Sequence, residues 1–291
     1  MNKKIAFATY AKLGETGPDD QPAADALQDM GYTVEAAVWN AQDVEWGQYQ
    51  AVVIRSCWDY HLHPTQFIEW LQQLEKLSIS VLNPPNVLRW NMDKSYLLDM
   101  ADWGIRVTPT VRLPKSAKVE LGDVLATKGW EQAVVKPLIS ASAHQTWVSD
   151  GAVDEDQGKL EAMLAQEAVL VQPFVPEIQT QGELSLLFFD KQYSHTVLKR
   201  PQNGDFRVQA EYGGSTELIQ PGEALIAQAQ QIVDMIEAPL AYTRVDAVEV
   251  DGQLMLMELE LIEPYLFLRE DPHAAQRFAT AIHKQISNQI S

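Results

Sequence analysis

Short apolar runs alternate with amphipathic stretches along the first part of the chain. The pattern predicts strands at 4–9, 33–39, 51–55 and 79–82, separated by helices over 21–30 and 64–77. Gly31 closes the first helix, and Asn83-Pro84-Pro85 closes the fourth strand. Strands that alternate with helices in this way form a parallel sheet with crossover helices. A further helix is expected over 92–102, stopped at Gly104. The pattern then changes. Strands are predicted at 107–113, 133–137 and 169–173, with a helix over 161–166. From Gly182 strands dominate, at 183–190, 192–198, 205–209, 244–250 and 253–261, with helices over 223–236 and 272–286. The last two strands are joined by Asp251-Gly252, a strong two-residue hairpin signal. The expected architecture is a parallel-sheet α/β domain followed by a larger mixed α+β region, without internal repeats or low-complexity linkers.

Composition supports a soluble globular chain of 291 residues, 46% apolar and 21% charged. That length suits about two domains or one large α/β unit. Lys and Arg number 22 against 40 Asp and Glu, a net charge of −18. Such a surface argues against nucleic acid and anionic membranes, which select basic proteins. Cys57 is the single cysteine, so no intrachain disulfide forms, and the usage fits a reducing cytoplasm. The apolar run after Lys3 and Lys4 is too short for a secretion signal. The charge-free stretch 137–149 is shorter than the roughly 20 residues of a membrane span. If so acidic a protein handles an anion, its few bases must be placed for the purpose.

Three groups of residues carry candidate chemistry. In the strand 253–261, Glu258 and Glu260 are two apart and share a face, and the Asp251-Gly252 turn folds Asp246 back toward them. Three carboxylates on one face repel unless a cation lies between them, and an oxygen-only set suits Mg²⁺. The competing reading is a solvated edge strand, which the flanking Leu254, Met255, Leu256 and Met257 disfavour. Second, the segment between Leu160 and Thr243 holds only Lys191, Lys199, Arg200 and Arg207 as bases. The last three form a seat for phosphate or carboxylate, or else scattered surface charge. Third, Lys94 lies at the start of a helix and Lys136 at the end of an apolar strand next to Pro137. Lysines of this kind, together with a carboxylate triad, suggest a bound polyphosphate. Neither a G-x-x-x-x-G-K-[ST] loop nor a G-x-G-x-x-G turn is present, so neither standard nucleotide fingerprint accounts for the site.

The order Lys94, Val134-Val-Lys136-Pro, Val171-Gln-Pro-Phe-Val-Pro-Glu177, Gly182-Glu183, Arg207, Asp246 and Glu258-x-Glu260 resembles the ATP-grasp superfamily, in its glutathione synthetase-like branch. A narrower resemblance, to the cyclo-ligases that form D-cycloserine from O-ureido-serine and their uncharacterised relatives, rests on five further strings. They are Gly182-Glu-Leu-Ser-Leu186, Ser194-His195, Lys199-Arg-Pro, Asp205-Phe-Arg207 and Glu258-Leu-Glu-Leu-Ile-Glu-Pro264. The resemblance implies an ATP-grasp fold in three parts: a pre-ATP-grasp substrate domain (1–104), a small lid subdomain (105–175) and a C-terminal catalytic subdomain (176–291). It further implies that Lys94 and Lys136 contact ATP phosphates, that Gln172, Phe174 and Val175 form the adenine hinge, and that Glu183 accepts the ribose hydroxyls. Arg207, with Lys199 or Arg200, would hold the transferred phosphoryl group. Asp246, Glu258 and Glu260 would bind two Mg²⁺, with Mn²⁺ an acceptable substitute. Arg55 and Asp59, in the segment after the third strand, would clamp a carboxylate and an amine, and His195 would touch substrate. Two departures stand out. Glu260 replaces the usual Asn, and the loop Ser140-Ala-Ser-Ala-His144 is rich in Ser and Ala rather than Gly.

The implied reaction is carboxylate activation. Mg²⁺-ATP converts a carboxylate, or a ureido or carbamoyl oxygen, of a small amino-acid derivative to an acyl-phosphate. An amine-type nucleophile then displaces phosphate, in the intramolecular case as a cyclo-ligase. The competing expectations are a ligase that modifies a peptide or protein terminus, an ATP-binding regulatory module without turnover, and a kinase that stops at phosphoryl transfer. The oligomeric state is open between monomer and homo-oligomer.

Overall fold

The computed structural model describes residues 3–141, 143–149, 153–202, 207–208 and 213–288. In chain order its elements are β1 (Lys4–Thr9), α1 (Gln21–Asp29), β2 (Thr33–Val38), β3 (Ala51–Ser56), α2 (Pro64–Lys76), β4 (Ser80–Leu82), α3 (Pro85–Met92), α4 (Tyr96–Asp102), β5 (Val111–Leu113), α5 (Leu121–Lys128), β6 (Ala133–Pro137), β7 (Trp147–Ser149), α6 (Val153–Gln166), β8 (Val169–Pro173), α7 (Glu177–Thr180), β9 (Glu183–Phe189), β10 (Gln192–Arg200), β11 (Ser215–Ile219), α8 (Glu223–Asp234), β12 (Tyr242–Val250), β13 (Gln253–Glu260) and α9 (Ala274–Asn288). They build a parallel sheet in the order β2-β1-β3-β4, a small antiparallel sheet β5-β8-β6-β7, and a larger antiparallel sheet β11-β10-β9-β12-β13. No helix among the described residues is long and apolar enough to cross a membrane.

The parallel sheet follows from its sequence. Every residue of β3 is buried, as expected for a central parallel strand covered on both faces. One face packs on α1 and α9, through Leu27, Phe278 and Ile282. The other packs on α2, through Phe67, Trp70 and Leu71.

Several elements differ from expectation. The helix predicted over 92–102 is two helices. Pro85 opens α3 at a position where its missing N–H costs nothing, so the two prolines that end the fourth strand also start a helix. The Asp93 carboxylate then accepts the Ser95 amide at 2.8 Å, a turn that competes with helix continuation and leaves Lys94 in the break. The strand predicted at 107–113 keeps only Val111–Leu113 in the small sheet. Its first part bonds instead to β13, where the Thr108 amide donates to the Leu256 carbonyl and the Leu256 amide donates to the Arg106 carbonyl. Helix α6 starts well before 161. The strand predicted at 205–209 falls mostly outside the described residues, and Arg207 and Val208 are irregular.

The edge of the large sheet positions the site. Strand β13 has β12 on one side; on the other, the 106–108 backbone meets Leu256, and side chains of α3 and α4 meet the backbone groups of Leu259 and Leu261. Asn91 donates to the Leu259 carbonyl (2.8 Å) and accepts from the Leu261 amide (3.0 Å), while the Tyr96 hydroxyl accepts from the Leu259 amide (2.8 Å). The break between α3 and α4 is thereby bolted beside Glu258. Buried Asn83 makes a second bolt, donating to the carbonyls of Tyr242 and Leu261 and accepting from the Ala241 amide.

Candidate active site

The β12–β13 hairpin pairs Asp246 with Glu258 and Arg244 with Glu260. Asp251 and Gly252 both take positive φ, as the tight turn requires. The carboxylates expected to converge do share one end of the hairpin, and each already has a cation. The Arg244 guanidinium grips both oxygens of Asp246 (3.0, 3.1 and 2.9 Å), pairs with Glu260, and donates to the Tyr265 carbonyl at 3.0 Å. Glu258 is ion-paired with Lys94. Asp246 also accepts from Ser185 at 2.5 Å and lies 3.3 Å from the Lys199 ammonium.

Lys199 lies opposite Glu183 in the β9–β10 ladder and is ion-paired with it. Gly182 makes this approach possible. Its φ is +92°, and a Cβ there would come within 2.6 Å of the Lys199 carbonyl oxygen. Lys136, on β6, feels the charges of Glu258, Glu183 and Lys94, yet makes no salt bridge among the described residues. It is the cation left available to an incoming anion.

Burial sets the direction of most titrations here. Desolvation pushes the Lys136 ammonium below the usual lysine range. Burial alone would raise Asp246, but Arg244 and Lys199 hold it at about 2. Burial would likewise raise Glu258, and Lys94 and Lys136 reverse the direction. Glu260 goes the other way, to about 8, because burial and the charges of Asp246, Glu258 and Glu263 outweigh Arg244.

Among the described residues no three Asp, Glu, His or Cys side chains stand together as a ready metal cage. The chemistry of the hairpin nevertheless fits a hard divalent cation. Its donors are all carboxylate oxygens, and Glu260 sits among like charges that a cation would relieve. Asp246, Glu258 and Glu260 would hold such an ion by exchanging the partners Arg244 and Lys94 that they hold now.

The expected hinge lies between the small and large sheets. Gln172 is buried and donates to the Thr110 hydroxyl at 2.8 Å. The Phe174 amide donates to the Gln132 carbonyl at 3.0 Å. The Val175 side chain is buried against Ile178, Val208 and Val248. Arg207 is half-buried and engaged by neighbours.

Four expected site residues are not brought to this cluster. Arg200 follows Lys199 on β10 and therefore points to the opposite face, where it pairs with the exposed Glu217 at 2.9 Å. Arg55 is 3% exposed and fully engaged: it pairs with Asp20 at 2.8 Å, donates to the Pro264 carbonyl at 2.9 Å, and stacks over Tyr242 and Phe278. It bolts the parallel sheet to the 264 segment and has no face free for a carboxylate. Asp59 accepts from the Trp39 indole at 2.7 Å. His195 is buried, hydrogen-bonded to Ser194 (2.9 Å) and the Leu266 carbonyl (3.1 Å), and burial lowers its pKa to about 4.

The sequence reading missed Arg244, although it stands two residues from Asp246 on the same face of a strand. It also missed Glu263, three residues past Glu260. His61 and His144 are far apart in the chain, but the fold brings their ring centroids to 5.2 Å, and burial lowers His61 to about 4.

Comparison with known proteins places this geometry. Residues 5–83 match the N-terminal domain family of the D-cycloserine synthetase DcsG, and residues 132–263 match the RimK-like ATP-grasp domain family. The cycloserine biosynthesis protein DcsG of Streptomyces lavendulae is 30% identical over 97% of this chain and 98% of its own. The chain belongs to the ATP-grasp ligase family. This ATP-grasp chain is accordingly an ATP-dependent carbon–nitrogen ligase. The crystal structure of D-cycloserine synthetase DcsG superposes with a TM-score of 0.87 at 27% identity, covering 97% of this chain and 99% of that one. A D-alanine–D-alanine ligase from Bacillus anthracis, solved with ATP, shares the ATP-grasp fold at a TM-score of 0.70 and 15% identity, over 98% of both chains.

Proposed function

We propose that this ligase activates a carboxylate, or a ureido or carbamoyl oxygen, of a small amino-acid derivative and joins it to an amine-type nucleophile, including the intramolecular closure that makes a cyclo-ligase. The reading takes 1–104 as the substrate domain, 105–175 as the lid and 176–291 as the catalytic part, working in the cytoplasm. Lys136, Lys94 and Arg207 receive the phosphates, and Gln172, Phe174 and Val175 hold the adenine, with Glu183 on the ribose. Asp246, Glu258 and Glu260 would hold two Mg²⁺, which would supply positive charge at the phosphates. Lys199 stays with Glu183 and Asp246 and keeps those carboxylates in place.

The observation that supports this reading most is the charge state of the hairpin. Each carboxylate is ionically paired, yet Lys136 is left single in a desolvated place. Lys136 is half-buried, and a desolvated ammonium without a partner is costly unless an anion joins it. Closure of the lid over such a site would exclude water, which would otherwise hydrolyse the activated intermediate.

The supporting test is phosphate and ADP release from Mg²⁺-ATP across a panel of free amino acids and derivatives, O-ureido-serine included, with the product identified by mass. Release that requires a small amino-acid derivative supports the reading. Release that requires a peptide overturns the small-molecule assignment.

A further inference from the structure

Beyond the hairpin, the end of strand β3 and the segment after β13 meet at one point. The backbone there is pinned from both sheets. The Trp58 indole donates to the Glu263 carbonyl (3.3 Å), Arg55 to the Pro264 carbonyl (2.9 Å) and Arg244 to the Tyr265 carbonyl (3.0 Å). Three consecutive carbonyls are thus fixed, and a side chain carried on them is held in a defined place.

That side chain is the carboxylate of Glu263. It is half-buried. Apart from its own backbone amide it has no hydrogen-bond or ion-pair partner among the described residues. The nearby cations Lys94 and Arg244 are already committed, to Glu258 and to Asp246 and Glu260. The Cys57 thiol and the Tyr60 hydroxyl both feel its charge. Those residues follow β3 at the carboxyl end of the parallel sheet, the edge where open α/β sheets take their ligands. Burial raises Glu263 to about 7, the response of a carboxylate that lacks its cation.

We propose that Glu263 binds the ammonium group of the amino-acid substrate, and so selects substrates with a free amine. The assignment rests on the ligase reading above and deepens it. The metal carboxylates have Lys94 and Arg244 as ion-pair partners, and Glu263 has none among the described residues. A primary ammonium has three donors in a compact head, suited to one unpartnered carboxylate. Glu263 is electrostatically coupled to Glu258 and Glu260, so the amine it binds belongs to the substrate that is activated there.

The test uses the full chain and ADP release from Mg²⁺-ATP with O-ureido-serine, alanine, serine and cysteine in both enantiomers. The compound that gives the most release is then compared with its N-acetyl form. Glu263→Gln is expected to raise the KM for the free amine by about 10- to 100-fold, the loss of one charge-assisted hydrogen bond. The KM for ATP, the Mg²⁺ activation constant and the Tm should stay as in the wild type. Glu263→Asp, which keeps the charge, should recover part of the loss. The N-acetyl form should be a poor substrate for the wild type and should lose little further in the Gln variant. An unchanged KM for the amine overturns the proposal. So does an effect that falls on ATP or Mg²⁺, which would make Glu263 a phosphate-side or metal residue. If no compound of the panel supports ADP release, the small-molecule reading fails, and this assignment fails with it.

Discussion

Lys94 and Glu258, separated by 164 positions in the chain, are ion-paired at the edge of the large sheet. The lysine comes from the break between α3 and α4, and the glutamate from β13. Asn91 and Tyr96 fix the break to that strand from either side. In the proposed reaction both members have other partners, a phosphate for Lys94 and a metal ion for Glu258. In the pair each side chain neutralises the other. Glu258→Gln is expected to abolish ADP release from Mg²⁺-ATP, while ATP binding measured by calorimetry without divalent ions largely survives. Unchanged turnover in this variant would remove Glu258 from the metal set.

Arg244 touches Asp246, Glu260 and a backbone carbonyl at once. Its removal leaves buried Asp246 and half-buried Glu260 without their shared cation. Arg244→Met should cost about 3–5 kcal/mol of stability, the usual loss when one partner of a buried ion pair is deleted. Added MgCl₂ should return more stability to the variant than to the wild type, because the ion can take the guanidinium's place. Urea unfolding with and without Mg²⁺ measures both. Equal stabilisation of the two proteins would argue against ion binding at these carboxylates.

Strand alternation separates Lys199 from Arg200. Lys199 faces Glu183 and Asp246, whereas Arg200 reaches the exposed Glu217. Arg200→Ala should leave kcat and both KM values unchanged and shift stability by less than about 1 kcal/mol, as for a surface pair. Lys199→Ala should lower kcat sharply and destabilise the fold, since Glu183 and Asp246 lose a shared cation. Equal kinetic effects would show that the basic cluster acts as a unit.

The hairpin carboxylates were legible in the sequence because their spacing is local. Glu258 and Glu260 must share a face, and a two-residue turn must return Asp246 to them. Lys94 was legible only as a candidate, since its partner depends on the Asn91 and Tyr96 contacts to a distant strand. Arg55 looked like a site residue for a good reason, its place at a strand end. What excluded it was Asp20, which lies in another loop, and a carbonyl more than two hundred residues away. The break between α3 and α4 was missed because the Asp93 turn competes with a helix that the apolar pattern supports. Convergence of side chains was therefore legible where it followed from neighbours in one strand, and illegible where long-range burial decided which face remained open.

His195 gives the fold a calculable pH dependence. It is buried, and burial lowers its pKa from 6.5 to about 4 in the native state. Between those values the unfolded chain binds the proton and the native one does not. Stability contributed by the neutral imidazole is complete above pH 6.5 and is lost as pH falls toward 4. The loss amounts to about 3 kcal/mol at the acid end, by the conversion of about 1.4 kcal/mol per pKa unit. Asp19 acts in the opposite sense. Its pKa is raised from 3.8 to about 6, chiefly by burial, so its contribution is present at low pH and fades as pH rises through 6. The difference between wild type and His195→Asn isolates the histidine, because Asp19 contributes equally to both. Asn lacks the titration but can keep one hydrogen bond, toward Ser194 or the Leu266 carbonyl. The stability advantage of the wild type should therefore shrink steadily across that window in urea unfolding at graded pH. A pH-independent difference would mean that His195 keeps its charge state on unfolding, and that its burial does not set the acid limit of the fold.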